Sequence, residues 1–248
     1  TEHAKAAKEA GADYVGDVTF VENYPTYRDV MSRPLFEDGM DIILPQNKLI
    51  PIIKKVLNID AYEATDVVQN DEKKFVSLMS ITTGRDAFGI VGKNIESRTK
   101  TNPFTNSVKV QCAYEEIRYM EKSLVTRGQD ILNSYKVFTS KGNGGAGLLT
   151  DNKPVAIIGK AFVAEPNMAC TDSMIPFGKF NNLTEAVNLQ KYMSTKFLRF
   201  MVGILKVSQN LYQNVYQFVP LQDFTGNSNI DWSKSIEEID MQLYAIYN

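Results

Sequence analysis

His3 is the only histidine in 248 residues, so a Ser-His-Asp triad, a histidine-bound metal nuclease and a zinc hydrolase are all hard to build. Asp71-Glu-Lys73 offers the Asp-x-Lys half of a metal nuclease site, with Asp60 or Asp66 as a first carboxylate. Such a site needs two acids and a lysine converging on one ion. Triplets of this kind arise by chance in a chain with 29 acidic and 27 basic residues. Cys170-Thr-Asp172 places a thiol near a carboxylate without a base, which reads as a buried structural cysteine. Lys141 precedes Gly142-Asn-Gly-Gly-Ala-Gly147, where backbone N–H groups could meet an anion. No helix signal opens behind it and no Lys-Ser/Thr follows, as a nucleotide loop requires. A turn, a DNA-backbone contact loop and a nucleotide site all stay open, the turn being the plainest.

The elements that must position these residues follow from pattern. Asn47 precedes an apolar stretch that predicts a short helix over 48–57, with Pro51 tolerated in its first turn. Alternation predicts a strand over 107–112; further strands are expected over 135–139, 155–158 and 174–177, with a closing strand over 215–219. A helix is expected over 126–133. The strongest pattern is a long amphipathic helix over 183–207. Asn182 caps it and Glu185 stands three residues on. Ala186, Leu189, Met193, Phe197, Phe200, Ile204 and Val207 make its apolar stripe, and Lys191, Lys196, Arg199 and Lys206 lie off it. Strands and helices mix without βαβ alternation, so the expected class is α+β, a mixed sheet with this helix near the C-terminus. Ser, Thr and Asn dominate 94–106, the best linker candidate.

Composition narrows the function classes. Hydrophobic content of 44% and charged content of 23% are ordinary for a globular protein. No apolar stretch is long enough to cross a bilayer, so no membrane partner is expected. Neither cysteine sits in a Cys-x-x-Cys pair, which points to a reducing, cytoplasmic setting. The absence of an initial Met and the end at Tyr247-Asn248 read as a fragment of something longer. Net charge is −2, but residues 105–210 carry thirteen Lys and Arg against eight Asp and Glu. Residues 211–248 carry one basic residue against five acidic. A basic middle beside an acidic tail fits a polyanion-binding face, although solvated surface with random clustering gives the same numbers.

Several segments, in order, resemble restriction–modification proteins that join or partner an adenine-specific DNA methyltransferase with a nuclease and end in a target-recognition region. The match begins at Arg33-Pro-Leu-Phe-Glu-Asp-Gly39 and the helix at 49–57. It continues in Ser77-Leu-Met-Ser-Ile81 and Gly84-Arg85-Asp-Ala-Phe88-Gly89, where Ala87 replaces the usual proline. Its closest run is Tyr135-Lys-Val-Phe-Thr-Ser-Lys-Gly-Asn-Gly144, Ile158-Gly-Lys-Ala-Phe162, Pro166-Asn167 and Cys170-Thr171. The helix at 192–200, Lys206-Val-Ser-Gln-Asn210, 216–224 and Ile230-Asp-Trp-Ser-Lys-Ser-Ile-Glu-Glu-Ile-Asp240 complete it. The resemblance implies that residues 1–32 are the trailing edge of a methyltransferase-like core and 33–248 a target-recognition region. It implies double-stranded DNA and the upstream methyltransferase or nuclease parts as partners. S-adenosylmethionine and Mg²⁺ would belong to the full-length parent and not to this segment, which would not be catalytic alone. Thr101-Asn-Pro-Phe104 is one proline short of the Asn-Pro-Pro-Phe loop of adenine methyltransferases and reads as a turn.

A reader of duplex DNA needs cations for phosphates and Asn, Gln, Arg or Lys for base edges. Lys141 is the candidate for a phosphate, Asn143 for a base or backbone contact, and Arg85 for a second loop contact. Lys196, Arg199 and Lys206 on the long helix, then Gln209 and Asn210 just beyond it, form the third group; a core helix with a solvated charged back is the alternative. Two other readings stand beside DNA recognition. One is a docking domain that uses the acidic tail with Trp232 and Ile236; the other is a divergent metal nuclease around 60–73.

Overall fold

The computed structural model describes residues 49–57, 75–90, 98–113, 116–143 and 156–247. All lie in the second of the chain's two compact units, Leu49–Asn248. The expected boundary at 32/33, the acids at 60–73, the loop glycines 144–147 and the strand start at Val155 fall outside the described residues.

The class is α+β, built on two three-stranded sheets. In the first, β1 (Ser107–Gln111) lies between β2 (Ile117–Glu121) and β5 (Met168–Cys170). Its β1–β2 pair is antiparallel and its β1–β5 pair parallel, so this is the mixed sheet. In the second, β3 (Tyr135–Ser140) lies between β4 (Phe162–Ala164) and β6 (Met174–Phe180), all antiparallel. Val108 and Val110 of β1 point into the core while Lys109 faces water, the alternation of a half-covered strand. The four central residues of β3 are all buried, so both of its faces are covered. Phe138 meets Phe88 and Phe162 edge-on, at 6.4 and 5.8 Å between ring centres, and joins the two sheets through one cluster with Val108, Val110 and Met120.

Lys136 is fully buried on β3, and its Nζ donates to the carbonyls of Leu132, Ser134 and Glu165 at 3.1, 3.1 and 2.8 Å. Three acceptors match the three donors of an ammonium. Burial pulls its pKa down to about 7, and the carbonyl cage opposes that pull by favouring the charged form. Asn167, between β4 and β5, holds φ at 65°, a conformation asparagine tolerates. Its N–H donates to Leu132, just before β3, and its side chain to Ser107 of β1, fixing this turn to both segments.

Among the described residues four helices carry the rest: α1 (Ile50–Leu57), the one-turn α2 (Gln129–Leu132), α3 (Leu183–Ser194) and α4 (Lys196–Leu205). A fifth, α5 (Ile236–Tyr247), closes the chain. The expected helix over 126–133 is thus reduced to its last turn, because Gly128 enters it in the left-handed region. A Cβ on Gly128 would lie 2.6 Å from the Ala87 carbonyl oxygen, so only glycine lets the two chain segments approach this closely.

Asn182 caps α3 as expected, accepting from the Glu185 N–H at 3.0 Å. The single long helix is not what forms, however; it is broken at Thr195, whose ψ of 153° is extended. Thr195 Oγ1 donates to the Tyr192 carbonyl and accepts from the Leu198 N–H, ending one helix and starting the next. The buried carboxylate of Asp240, on α5, accepts from the N–H groups of Lys196 and Phe197, both at 2.9 Å. Two donors that a continuous helix would turn inward are satisfied from outside, and the carboxylate sits at the positive end of α4. The apolar stripe also stops early, since Val207 is 81% exposed.

Among the described residues two expected strands do not form. Residues 157–158 are bends, and 215–219 gives a 3-10 turn at Gln213–Tyr216. There Leu78 N–H donates to Val219 and Leu221 N–H to Val76, too few bonds for a ladder. The described part of the expected linker, 98–106, is tied down: Thr99 exchanges both backbone hydrogen bonds with Tyr119 of β2.

Two outcomes are expected. Asp240→Ala leaves two buried N–H groups without acceptors and lowers unfolding free energy by about 1–3 kcal/mol, read as a lower urea midpoint with unchanged slope. For Lys136, the folded pKa of about 7 lies below the ordinary 10.5. The unfolded chain therefore binds more protons between those values, and stability rises with pH across that window, reaching its full gain above it. Subtracting the Lys136→Met profile isolates this slope; a flat difference would mean that the carbonyls keep the ammonium charged throughout.

Candidate functional site

Three segments distant in sequence meet where β3 ends. Lys141, one residue past β3, donates its N–H to Ser173 and accepts from the Leu211 N–H, at 2.8 and 2.7 Å. Gly142 and Asn210 form an antiparallel bridge, and the Asn143 N–H reaches the Gln209 carbonyl at 2.9 Å. The end of β3 thus continues as a short ladder with the segment that follows α4. The turn carrying Arg85 joins from a third direction.

That turn is set by Asp86, which holds φ at 54°. Its carboxylate accepts from the Ile90 N–H at 3.0 Å and from Arg127 at 2.5 Å. With the backbone pinned at Asp86, the neighbouring Arg85 side chain projects outward and is 68% exposed. Its Nη2 lies 3.6 Å from Asp172 Oδ2, and Lys141 Nζ lies 3.2 Å from the same oxygen. Asp172 sits in the turn between β5 and β6, where Thr171 N–H donates to Gln111 and Met174 N–H to Thr171. Two cations and one carboxylate therefore meet at the surface, leaving a surplus positive charge.

Lys206 takes a different role from the one its position off the apolar stripe predicted. It ends α4, is buried, and donates its Nζ to the Asn143 carbonyl. Burial lowers its pKa. The Asn143 side chain is also engaged, donating from Nδ2 to the Ala156 carbonyl at 2.7 Å. Residues 143 and 156, which flank the glycine-rich stretch, are thereby joined. Gln209 is exposed and Asn210 half-buried on the same edge.

The structure brings together Arg85, Lys141, Asn143, Lys206, Gln209 and Asn210, and leaves two candidates apart. Lys196 begins α4, and ten residues of helix, about 15 Å, separate it from Lys206. It borders an apolar groove of about 610 Å³ with Ile52, Val56, Phe200 and Tyr244. Arg199 is half-buried, and its Nε–H is out of water with no acceptor among the described residues. Asp172 was not legible as a site residue, because its partners lie 31 and 87 positions away in the chain. No local signal marks it.

No protein-family model matches the chain, and a search of curated proteins finds no significant relative. Among the described residues no group of three His, Cys, Asp or Glu is placed to hold a metal ion. No helix among them is long and apolar enough to cross a membrane. Cys112 and Cys170 are both free thiols; Cys170 is buried and burial raises its pKa, as a structural cysteine requires. Trp232 lies in the core, not on a docking surface. It packs on Tyr192 and Phe224, with its indole N–H on the Asp223 carbonyl at 2.9 Å.

The Lys206 ammonium should hold the 141–143 segment in place. Lys206→Met, which keeps the buried stem, is expected to speed amide hydrogen exchange at Asn143 and Leu211 while leaving Val137 and Phe138 protected. Equal protection in both proteins would mean that the ladder stands without it.

Proposed function

We propose that this chain binds duplex DNA as the target-recognition region of a restriction–modification protein. The observation that carries the reading is the convergence of Arg85 and Lys141, from separate segments, on one exposed edge that also carries Gln209 and Asn210. An exposed guanidinium and a fixed ammonium suit two phosphates or one phosphate held twice. The neighbouring amides are of the type that reads base edges. Residues 105–210, which contain most of this edge, are the basic part of the chain. The ordered set of motifs from Arg33 to Asp240 supports the same reading.

On this reading S-adenosylmethionine and Mg²⁺ serve the catalytic parts of the parent, and no residue of this chain is assigned to them. The two free thiols fit a cytoplasmic setting.

A second reading, docking on the methyltransferase or nuclease part, draws on the groove beside Lys196. Tyr244 at 44% and Met241 at 68% exposure stand on the outer face of α5, and Ile52 at 42% on α1. Apolar surface of this kind is typical of interaction sites.

The two readings separate by salt. Anisotropy of a labelled mixed-sequence duplex should show binding that falls by orders of magnitude between about 50 and about 200 mM salt. Replacing Arg85 and Lys141 by Ala should reduce the slope of log K against log salt by about 0.9 if they share one phosphate and by about 1.8 if they hold two. Binding with an unchanged slope would remove both residues from the interface, and no binding at low salt would favour docking.

A further inference from the structure

Asp172 is the acceptor that the two cations of this edge share. Its Oδ2 alone takes both partners, Lys141 Nζ at 3.2 Å and Arg85 Nη2 at 3.6 Å. A non-bridging oxygen of a phosphodiester offers the same charge and the same acceptor geometry to the same two groups.

The backbones around this cluster are fixed and only the side-chain ends are exposed. Lys141 is held through Ser173 and Leu211, Arg85 through the Asp86 turn, and Asp172 between Thr171 and Ser173. The Arg85 side chain is 68% exposed, so its pair with Asp172 is screened by water and weak. Lys141 and Asp172, at 21% and 26%, are half-buried and form the closer pair, so an anion that takes Lys141 must displace a firmer contact.

We infer that Asp172 is an internal stand-in for a DNA phosphate. It keeps Arg85 and Lys141 together in the free protein, competes with the DNA backbone for them, and sets how tightly this edge holds non-specific duplex. The inference rests on the DNA-binding reading above. A carboxylate in this position lowers affinity for any duplex equally, so contacts to base edges weigh more in the choice between sequences.

The test is duplex affinity of the full chain carrying Asp172→Asn, measured by anisotropy on the mixed-sequence pool at low salt. The isosteric amide is expected to tighten binding by about three- to tenfold, a gain that shrinks as salt rises. Asp130→Asn is the control for net charge, because Asp130 pairs with Lys179 away from this edge, at 3.0 Å. In an Arg85→Ala/Lys141→Ala background Asp172→Asn should bring no local gain. Asp172→Ser, which keeps a small polar group in the turn, should reproduce the tightening, and unchanged urea midpoints verify the fold of both variants.

Tightening no greater than that of Asp130→Asn, or tightening that persists without Arg85 and Lys141, would overturn the inference while leaving DNA binding intact. Wild type that binds and a variant that binds equally or worse would do the same. If neither protein binds duplex at any salt, the DNA reading falls and takes the inference with it. A variant that binds where wild type does not would support it.

Discussion

The arrangement of the C-terminal half depends on one buried carboxylate. Asp240 receives the first two N–H groups of α4 and holds them apart from the end of α3. Hydrogen bonds to a carboxylate are among the stronger ones. The same contact brings α5 against α4, where Phe197 stacks on Tyr247 at 5.0 Å and meets Tyr244 edge-on. Were α3 and α4 one straight rod, Lys206 would lie where the axis of α3 points. Because the rod is broken, α4 ends under Asn143 and delivers Lys206, Gln209 and Asn210 to the end of β3. A cap in the last helix thus decides what meets a strand a hundred residues earlier.

A second regularity is the use of lysine as a multi-donor tie for backbone. Lys136, Lys191 and Lys206 each donate to main-chain carbonyls: three for Lys136, those of Trp232 and Lys234 for Lys191, and that of Asn143 for Lys206. Irregular segments have carbonyls that no ladder satisfies, and an ammonium on a flexible stem reaches several of them from one position. The short strands and long connections of this fold leave many such carbonyls. The basic composition of the middle of the chain is therefore partly internal architecture and only partly surface charge.

This is also where sequence and structure part company. Local patterns sufficed for β1, β3 and β6, alternation for the first of them, and Asn182 with Glu185 placed the start of α3. The break at Thr195 is not local. The apolar period runs through it from Leu189 to Ile204, and the decisive acceptor lies on α5, 45 residues on from Thr195. At 215–219 aromatic and β-branched residues spelled a strand, yet no neighbour among the described residues offers a full ladder. Within the candidate site the residue types were legible and their partners were not. Lys206 looked solvated because it lies off the stripe, but the Asn143 carbonyl draws it inside. Arg85 and Lys141 looked free until Asp172 arrived from the β5–β6 turn.

The bond from Asn143 to the Ala156 carbonyl has a consequence for how such a protein can change over time. It fastens the chain on both sides of residues 144–155 at a single point on the scaffold. Positions 143 and 156 are therefore tied in any such change: a residue at 143 without a side-chain amide releases the segment at Ala156 as well. One side chain thus answers for two stretches of backbone, and what alters it is felt at both.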